Sequence, residues 1–158
     1  MHVRDATEAD IEGIRAVADE AWRTDYPERL SLETIETGVN HWYGDPVLRM
    51  ELSQPGTLLQ VAEDEDSLVG FVHAHMAGPQ PTILRLHVRP AYRESGVEAA
   101  LFESVEAKLD APEELQATVL EPNDHMLGFY DKRGFEQVDT EETTIGEDQY
   151  PEAVLARM

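Results

Sequence analysis

The chain contains no cysteine, two lysines and no long apolar run, and each shortage excludes a class of structure or chemistry. Without cysteine there is no disulfide, no thiolate metal site and no cysteine nucleophile. No stretch reaches the roughly eighteen consecutive apolar residues of a membrane-spanning helix, and the N-terminus lacks the pattern of a secretory signal. We therefore expect a cytoplasmic protein with no membrane partner.

Positive charge is also scarce: the chain has 12 Lys and Arg residues against 33 Asp and Glu residues. Its formal net charge is −21. A chain this acidic repels nucleic-acid phosphates, so no nucleic-acid partner is expected. The acidic, lysine-poor composition resembles that of proteins from organisms that keep molar salt inside the cell. At molar salt the Debye length falls to roughly 3 Å, so such a surface repels itself little. An acidic patch made for a basic substrate is the alternative.

The remaining composition indicates one folded domain over residues 1–158, because a hydrophobic content of 41% with clear periodicity argues against disorder. Strands are predicted at residues 2–6, 57–63, 67–77, 82–88, 115–120, 135–139 and 150–157. Helices are predicted after Thr7, after Ser31, from about Val97 to Leu109 and after Asn123. Hairpins interspersed with helices favour an α+β fold around a mixed sheet.

Several local features refine this outline. Thr7 and Asp10 have the spacing of a helix cap and its partner. The helix that follows carries an apolar stripe of Ile11, Ile14, Val17, Ala18, Ala21 and Trp22. Ser31 could cap a second helix that carries Leu32, Ile35 and Val39. We expect Gly44-Asp45-Pro46 to end that helix, residues 78–81 to form a turn, and an acidic connection to join the last two strands.

The most informative segment runs from Ile83 to Leu101 and has the pattern of a strand, a turn and a helix. The strand ends at Pro90, the turn contains Arg93 and Gly96, and the helical pattern follows. A glycine-bearing turn that opens a helix can point free N–H groups at an anion, and the helix dipole adds to the attraction. This turn is the best candidate site in the chain for a phosphorylated ligand.

Two motifs in the chain resemble those of the GCN5-related N-acetyltransferase (GNAT) superfamily. The first is its acetyl-CoA motif, Leu-x-Val-x-Pro-x-x-Arg followed by x-x-Gly-x-Gly or Ala, which is matched by Leu86, Val88, Pro90, Arg93 and Gly96. Glu98 replaces its last small residue. Residues 123–135 are similar to the second motif, Asn-x-x-Ala-x-x-Phe-Tyr-x-x-x-Gly-Phe, with Met126 in place of the alanine. Residues 3–11 resemble the opening strand, cap and helix of the family.

The resemblance implies a GNAT-like fold, with a mixed, mostly antiparallel central sheet flanked by helices on both faces. It also implies an N-acetyltransferase in which a primary amine attacks the thioester of acetyl-CoA directly. The acceptor stays open between a small-molecule amine and a peptide or protein N-terminus. A homodimer is left open too, because a dimer-forming strand looks like any edge strand.

The resemblance also implies which residues contact the cofactor: Leu86, His87, Val88, Arg93, Glu94, Ser95, Gly96, Val97, Glu98, Ala99, Asn123, Phe129 and Tyr130. Backbone N–H groups of the turn would hold the pyrophosphate, and an N–H near Val88 would meet the oxyanion. Arg93 could pair with phosphate or anchor the turn. Glu98 suits the helix dipole but would repel a pyrophosphate, so we expect its side chain to point outward. If it pointed inward, a non-catalytic module that senses acyl-CoA or binds a partner would be the alternative.

Tyr130 is the candidate general acid implied by the second motif, because a phenol is protonated at neutral pH and can donate to a leaving thiolate. The alternative is that Tyr130 packs in the core beside Phe129. Asn123 could cap its helix, contact the amide arm of the cofactor, or do both.

No residue identifies itself as the general base. The candidates on the strands and after them are His73, His75, His87, Glu63 and Glu121. We select His87, which faces opposite to its two neighbours and whose residue type titrates in the useful range. His73 and His75 share one strand face, but no third ligand stands at a supporting spacing, so no metal is expected. The acceptor pocket is expected among Trp22, Tyr26, Trp42 and Tyr43, which could equally be core.

Overall fold

The computed structural model describes residues 1–26, 30–76, 80–110 and 112–158. The helices are α1 (Ile11–Asp25), α2 (Leu32–Tyr43), α3 (Asp45–Ser53), α4 (Val97–Lys108) and α5 (Asp124–Asp131). The strands are β1 (His2–Asp5), β2 (Thr57–Asp64), β3 (Ser67–His75), β4 (Thr82–Val88), β5 (Leu115–Leu120), β6 (Glu136–Ile145) and β7 (Asp148–Arg157). Short 3₁₀ helices cover Glu8–Asp10 and Pro90–Tyr92. Within these described ranges, no helix combines the length and the apolar character needed to cross a bilayer.

The seven strands form one sheet in the order β1-β2-β3-β4-β5-β7-β6. Neighbouring strands are antiparallel throughout, except for β4 and β5, which are parallel. Two apolar cores lie on opposite faces of this sheet. One contains side chains of α1, α2 and α3, and the other contains side chains of α4 and α5. The expected mixed, mostly antiparallel sheet with helices on both faces is confirmed.

The start of α1 shows how local sequence sets the elements. The backbone N–H of Thr7 donates to Asp10 Oδ2 at 2.8 Å, and Arg4 donates to both carboxylate oxygens of Asp10. The Arg4 guanidinium holds the pKa of Asp10 below its usual value. All six apolar residues predicted for the stripe of α1 are buried. Ser31 caps α2 as predicted, because its hydroxyl accepts from the N–H of Thr34 at 3.1 Å.

Gly44-Asp45-Pro46 ends α2 as predicted, and it also begins α3, because a proline fits the first turn of a helix. Of the three apolar residues predicted on α2, Ile35 and Val39 are buried, whereas Leu32 is 62% exposed. The expectation of an acidic connection before residue 150 was wrong, because most of these residues are strand: β6 and β7 pair up to Ile145 and Asp148, around a tight turn at Gly146. Solvent reaches both faces of β6, so its residues lack the alternation that marks a half-buried strand. Residue 77, where the third strand was predicted to end, and residues 78–79 of the predicted turn lie outside the described residues.

Candidate active site

The strands β4 and β5 lie side by side only where they begin. Their parallel pairing in the described chain covers residues 82–83 of β4 and 116–117 of β5. The hydroxyl of Thr118 then donates to the carbonyl of Leu84 at 3.2 Å. Beyond this point the two strands form no further ladder with each other in the described residues, and a cleft opens between them.

The cleft passes through the sheet, because its lining comes from both cores. Leu86 and Tyr130 belong to the core of α4 and α5, whereas Trp22 and Tyr26 belong to the core of α1–α3. The lining consists of Trp22, Tyr26, Trp42, Leu84, Arg85, Leu86, His87, Thr118, Val119, Leu120, Asn123, Met126 and Tyr130. Residues predicted for the cofactor and for the acceptor therefore meet in one space. Tyr43 packs behind this lining.

The edge of β4 that faces the cleft presents two backbone N–H groups. The N–H of Arg89 donates to the carbonyl of Val69 at 2.8 Å, and the β3–β4 ladder keeps this register from Val88 back to Arg85. Bonded and non-bonded pairs alternate along an antiparallel ladder, so the N–H groups of Leu86 and Val88 point away from β3. Both groups therefore face the gap that β5 leaves open and are available as donors there.

The turn before α4 has the geometry of an anion cradle. Gly96 adopts the left-handed region with φ of +83°, which a residue with a side chain would enter only under strain. No side chain of the described residues caps α4, so the N–H groups of residues 97–99 point out of its first turn. Free N–H groups and the positive end of a helix dipole fit a pyrophosphate. Glu94 and Ser95 lie exposed on the same turn.

Arg93 anchors this turn to the end of α1. Its two terminal nitrogens donate to the two carboxylate oxygens of Asp25 at 2.7 and 2.9 Å. The pair is nearly buried, with 14% of the Arg93 side chain and 5% of the Asp25 side chain exposed. Of the two roles predicted for Arg93, the geometry supports the anchor, because Asp25 occupies the nitrogens that would reach a phosphate.

Glu98 points inward, so the expectation of an outward side chain was wrong. Its carboxylate is 8% exposed and lies 2.6 Å from His125 Nε2, in the first turn of α5. Glu98 shares the buried stripe of α4 with Phe102 and Val105, at the i, i+4 and i+7 positions. Packing of this stripe against α5 therefore carries the carboxylate into the space between the two helices.

Asn123 caps α5 and also joins it to α1. Its Oδ1 accepts from the N–H of Met126 at 3.0 Å, and its Nδ2 donates to the phenol oxygen of Tyr26 at 3.1 Å. The predicted cap is therefore confirmed. Burial raises the pKa of Tyr26 above its ordinary value, so this phenol stays protonated and has a proton left to donate.

Tyr130 both packs in the core and lines the cleft. Its ring meets those of Phe129 and Phe135 edge to face, at centroid distances of 5.4 and 5.0 Å. Burial raises the pKa of Tyr130, and the nearby Glu98 carboxylate raises it further. The phenol is therefore held in the protonated form that can donate a hydrogen bond. Phe129 packs against Phe102 beside it and is not part of the cleft lining.

His87 is buried between the rings of Tyr43 and Phe71, on the face of β4 opposite to Leu86 and Val88, as predicted. Burial lowers the pKa of His87 to about 3, and the positive charge of Arg85 adds to the effect. The imidazole is therefore neutral at physiological pH. A base whose conjugate acid is this strong accepts a full proton poorly, but it can still accept a hydrogen bond.

The other base candidates lie away from the cleft lining. Glu63 pairs with Arg4 at 3.3 Å, and Glu121 accepts a hydrogen bond from a glutamine of β6. His73 Nε2 lies 3.1 Å from Glu51, and burial lowers the pKa of His73. Within the described residues, no three His, Asp or Glu side chains are grouped to hold a metal ion.

Arg85 is a lining residue that the sequence reasoning missed. Its Nη1 donates to the carbonyl of Leu84 at 2.5 Å and to the hydroxyl of Thr118 at 3.2 Å, and it lies 3.1 Å from Glu152 Oε2. Its guanidinium lies 4.2 Å from the ring centre of Trp42. The available signal was an arginine within an apolar strand, two residues before His87 and therefore on the same face.

Comparisons with known proteins agree with this geometry. The model of the acetyltransferase (GNAT) domain family matches residues 27–147. Spermidine N(1)-acetyltransferase of Thermoplasma acidophilum is 24% identical over 147 residues, which cover 89% of this chain and 91% of the relative. An acetyltransferase of Yersinia pestis is 34% identical over 102 residues, covering 62% of this chain and 72% of the relative.

Solved structures show the same likeness. The PaiA N-acetyltransferase from Thermoplasma acidophilum, in complex with coenzyme A, superimposes with a TM-score of 0.85 at 25% identity, over 99% of this chain and 97% of its own. The apo form of YjaB from Escherichia coli gives a TM-score of 0.73 at 26% identity, over 98% and 95%. The chain therefore belongs to the acetyltransferase (GNAT) family and is an enzyme of that class, with acetyl-CoA as its acetyl donor.

Proposed function

We propose that this enzyme transfers the acetyl group of acetyl-CoA to the primary amine of a small molecule, by direct attack of the amine on the thioester. The observation that carries the proposal is the cleft between β4 and β5, which joins residues of the two cores in one lining. Donor and acceptor can approach each other through the sheet from opposite faces.

The donor side supplies three functions in this proposal: it binds the pyrophosphate, stabilises the oxyanion and protonates the leaving thiolate. The first-turn N–H groups of α4 bind the pyrophosphate, while Arg93 holds their turn in place through Asp25. The N–H groups of Leu86 and Val88 donate to the thioester oxygen as negative charge develops on it. Tyr130 donates to the sulfur as the thiolate leaves.

On the acceptor side, Trp22, Tyr26 and Trp42 wall the cleft. The neutral His87 accepts a hydrogen bond from the incoming amine and orients it, and water carries the amine proton away. The name of the Thermoplasma acidophilum relative, which acts on spermidine, supports a small-molecule acceptor over a protein.

A matched pair of glycine variants tests the donor site. Gly96 and Gly56 both have φ near +82°, and an added Cβ would meet no atom within 4 Å at either position. Gly96→Val and Gly56→Val therefore carry similar backbone strain, about 1–3 kcal/mol. Only Gly96→Val should weaken acetyl-CoA binding, measured by calorimetry. Equal affinities in the two variants would contradict the assigned cradle.

Transfer itself can be followed by the thiol of released CoA, because the chain has no cysteine to react with the thiol reagent. With acetyl-CoA and a panel of primary amines, the rate of thiol release should rise with the concentration of a suitable amine. It should exceed the rate without amine, which measures hydrolysis of the thioester. Release that is unaffected by every amine would overturn the proposed reaction.

The acidic composition is included in the proposal as an adaptation to high salt. The net charge of −21 on 158 residues makes the folded chain repel itself in dilute buffer. Molar KCl screens that repulsion, so the melting temperature should be higher in molar KCl than in dilute buffer, with or without acetyl-CoA. Equal melting temperatures in molar KCl and in dilute buffer would contradict the proposed adaptation to high salt.

A further inference from the structure

Arg85 is the only side chain with a formal charge among the described residues that line the cleft. His87, the other titratable cation there, is held neutral by burial. Although the chain has 33 acidic residues, the described residues place no carboxylate in the lining of the cleft but do place a guanidinium there. The carboxylate nearest to this guanidinium, that of Glu152, lies behind the lining, 3.1 Å from Arg85 Nη1.

The contacts of Arg85 leave one edge of its guanidinium unused. The carbonyl of Leu84, the hydroxyl of Thr118 and the carboxylate of Glu152 all meet the same nitrogen, Nη1. Among the residues that the structure describes, Nε and Nη2 make no hydrogen bond of ordinary geometry, although the buried phenol of Tyr43 lies near the guanidinium. These two nitrogens form the side-on edge that binds both oxygens of a carboxylate.

Trp42 adds an argument against a polycationic acceptor. Aromatic faces in a cleft can bind ammonium groups through cation–π contacts. The face of Trp42 is already covered by the Arg85 guanidinium, 4.2 Å from the ring centre. The protein thus places its own cation where a second ammonium group of a polyamine would bind, and the two cations would repel each other.

We propose that the acceptor is an amine that carries a carboxylate, and that the free edge of Arg85 binds this carboxylate. The inference rests on the proposed N-acetyltransferase function and names its substrate class. Arg85 and His87 share one face of β4, two residues or about 7 Å apart. An acceptor whose carboxylate meets Arg85 can present its amine near His87 when only a few bonds separate the two groups, as in an amino acid. Arg85 is then the residue that determines specificity.

The test compares glycine, β-alanine and 4-aminobutyrate with their amides as acceptors, at saturating acetyl-CoA and in molar KCl. The wild type should acetylate the acids with a higher kcat/KM than the amides. Arg85→Gln should lower kcat/KM for the acids about 10- to 100-fold and leave the amides nearly unchanged, since a hydrogen bond to a charged group is lost. Arg85→Lys should recover part of the loss, because the charge remains but the forked edge does not.

Controls separate specificity from folding. Arg49→Gln removes a cation at an exposed position on α3 and should leave the preference intact. Arg85→Gln leaves the buried Glu152 without its cation, so the double variant with Glu152→Gln restores neutrality and should show the same lost preference. An equal loss of activity on acids and amides in both variants would show a structural role and overturn the proposal.

A binding measurement keeps the two proposals distinguishable. With CoA present, N-acetylglycine should raise the melting temperature more than N-acetylglycinamide does, and Arg85→Gln should abolish the difference. If no amine were acetylated but N-acetylglycine still gave the larger shift in melting temperature, the proposed acetyl transfer would be contradicted and the carboxylate site would be supported. Equal shifts by the two ligands, or equal kcat/KM for acids and amides in the wild type, would overturn the carboxylate site.

Discussion

The carboxylate of Glu98 lies 2.6 Å from Nε2 of His125, and this contact joins the first turn of α4 to the first turn of α5. Helix α4 begins at the proposed phosphate cradle, and α5 carries Tyr130. A negative charge therefore stands beside the place where the resemblance to the family implies a pyrophosphate. His125 offers the partner that can reduce this repulsion.

Removing the charge of Glu98 should strengthen acetyl-CoA binding. For Glu98→Gln we expect a gain of about 5- to 10-fold in affinity, the size of one screened charge–charge repulsion near the surface. His125→Gln should do the opposite, because Glu98 then loses its partner. Isothermal calorimetry in dilute and molar KCl would measure both, with smaller effects at high salt. A gain of several orders of magnitude in Glu98→Gln would mean instead that the natural cofactor site is disabled.

Tyr130→Phe should lower turnover without unfolding the protein. The ring keeps its edge-to-face contacts with Phe129 and Phe135, so the melting temperature should change little. Loss of the donor to the departing thiolate should lower kcat by about 100-fold or more. The measurement is kcat by thiol release beside a thermal melt. Full activity in a folded variant would remove Tyr130 from the mechanism and leave it as a core aromatic.

Arg93→Gln and Asp25→Asn should have equal effects on the cofactor, because each breaks the same anchor. Each should also lower the free energy of unfolding by about 3–5 kcal/mol, since a nearly buried partner is left unpaired. Both KM for acetyl-CoA and denaturant stability should be measured, with the exposed Arg23→Gln as a control that leaves stability nearly unchanged. If Arg93→Gln raised KM far more than Asp25→Asn, Arg93 would be a phosphate ligand after all.

His87 should make the fold lose stability in acid. Burial lowers its pKa to about 3, so at pH 5 the unfolded chain protonates this histidine and the folded chain does not. The free energy of unfolding should therefore fall as pH decreases from about 6.5. Between pH 7 and pH 5, His87 should lower the free energy of unfolding by about 2 kcal/mol, at about 1.4 kcal/mol per pH unit below pH 6.5.

The measurement is urea unfolding at pH 7 and 5 for the wild type and for His87→Gln, with the exposed His41→Gln as control. The wild type and His41→Gln should lose about 2 kcal/mol more than His87→Gln on acidification. If all three proteins lost the same free energy, His87 would be exposed to solvent and free to act as a general base.

The sequence predicted well wherever a signal is local. Ser31 and Asn123 each cap the helix they were predicted to cap, because a cap needs only a side chain and an N–H three residues away. Thr7 meets its predicted partner Asp10, but the Thr7 N–H donates to the Asp10 carboxylate, and a 3₁₀ turn at Glu8–Asp10 lies between Thr7 and α1. The strand from Thr82 to Val88 was predicted with its bounds intact. The long β6 was missed, because an edge strand with solvent on both faces carries no hydrophobic alternation.

Inside the cleft, local sequence signals predict less, because side-chain contacts there join residues of different elements. The motif resemblance located Leu86, Asn123 and Tyr130, and the aromatic residues of the acceptor side followed from their position in the chain. The inward side chain of Glu98 could not be predicted, because it depends on how α4 packs against α5. Arg85 was missed for a related reason: its partners Thr118 and Glu152 lie on other strands.

By itself the sequence determined the family, the order of the elements and the absence of thiol chemistry, since motifs, periodicity and composition are properties of short stretches or of counts. The tertiary structure decided what each candidate residue touches. Arg93 meets Asp25 across 68 residues of chain, and Asn123 meets Tyr26 across 97. Contacts between residues so far apart exist only after the sheet and its two cores have assembled, and they decide whether a side chain anchors, caps or faces a substrate.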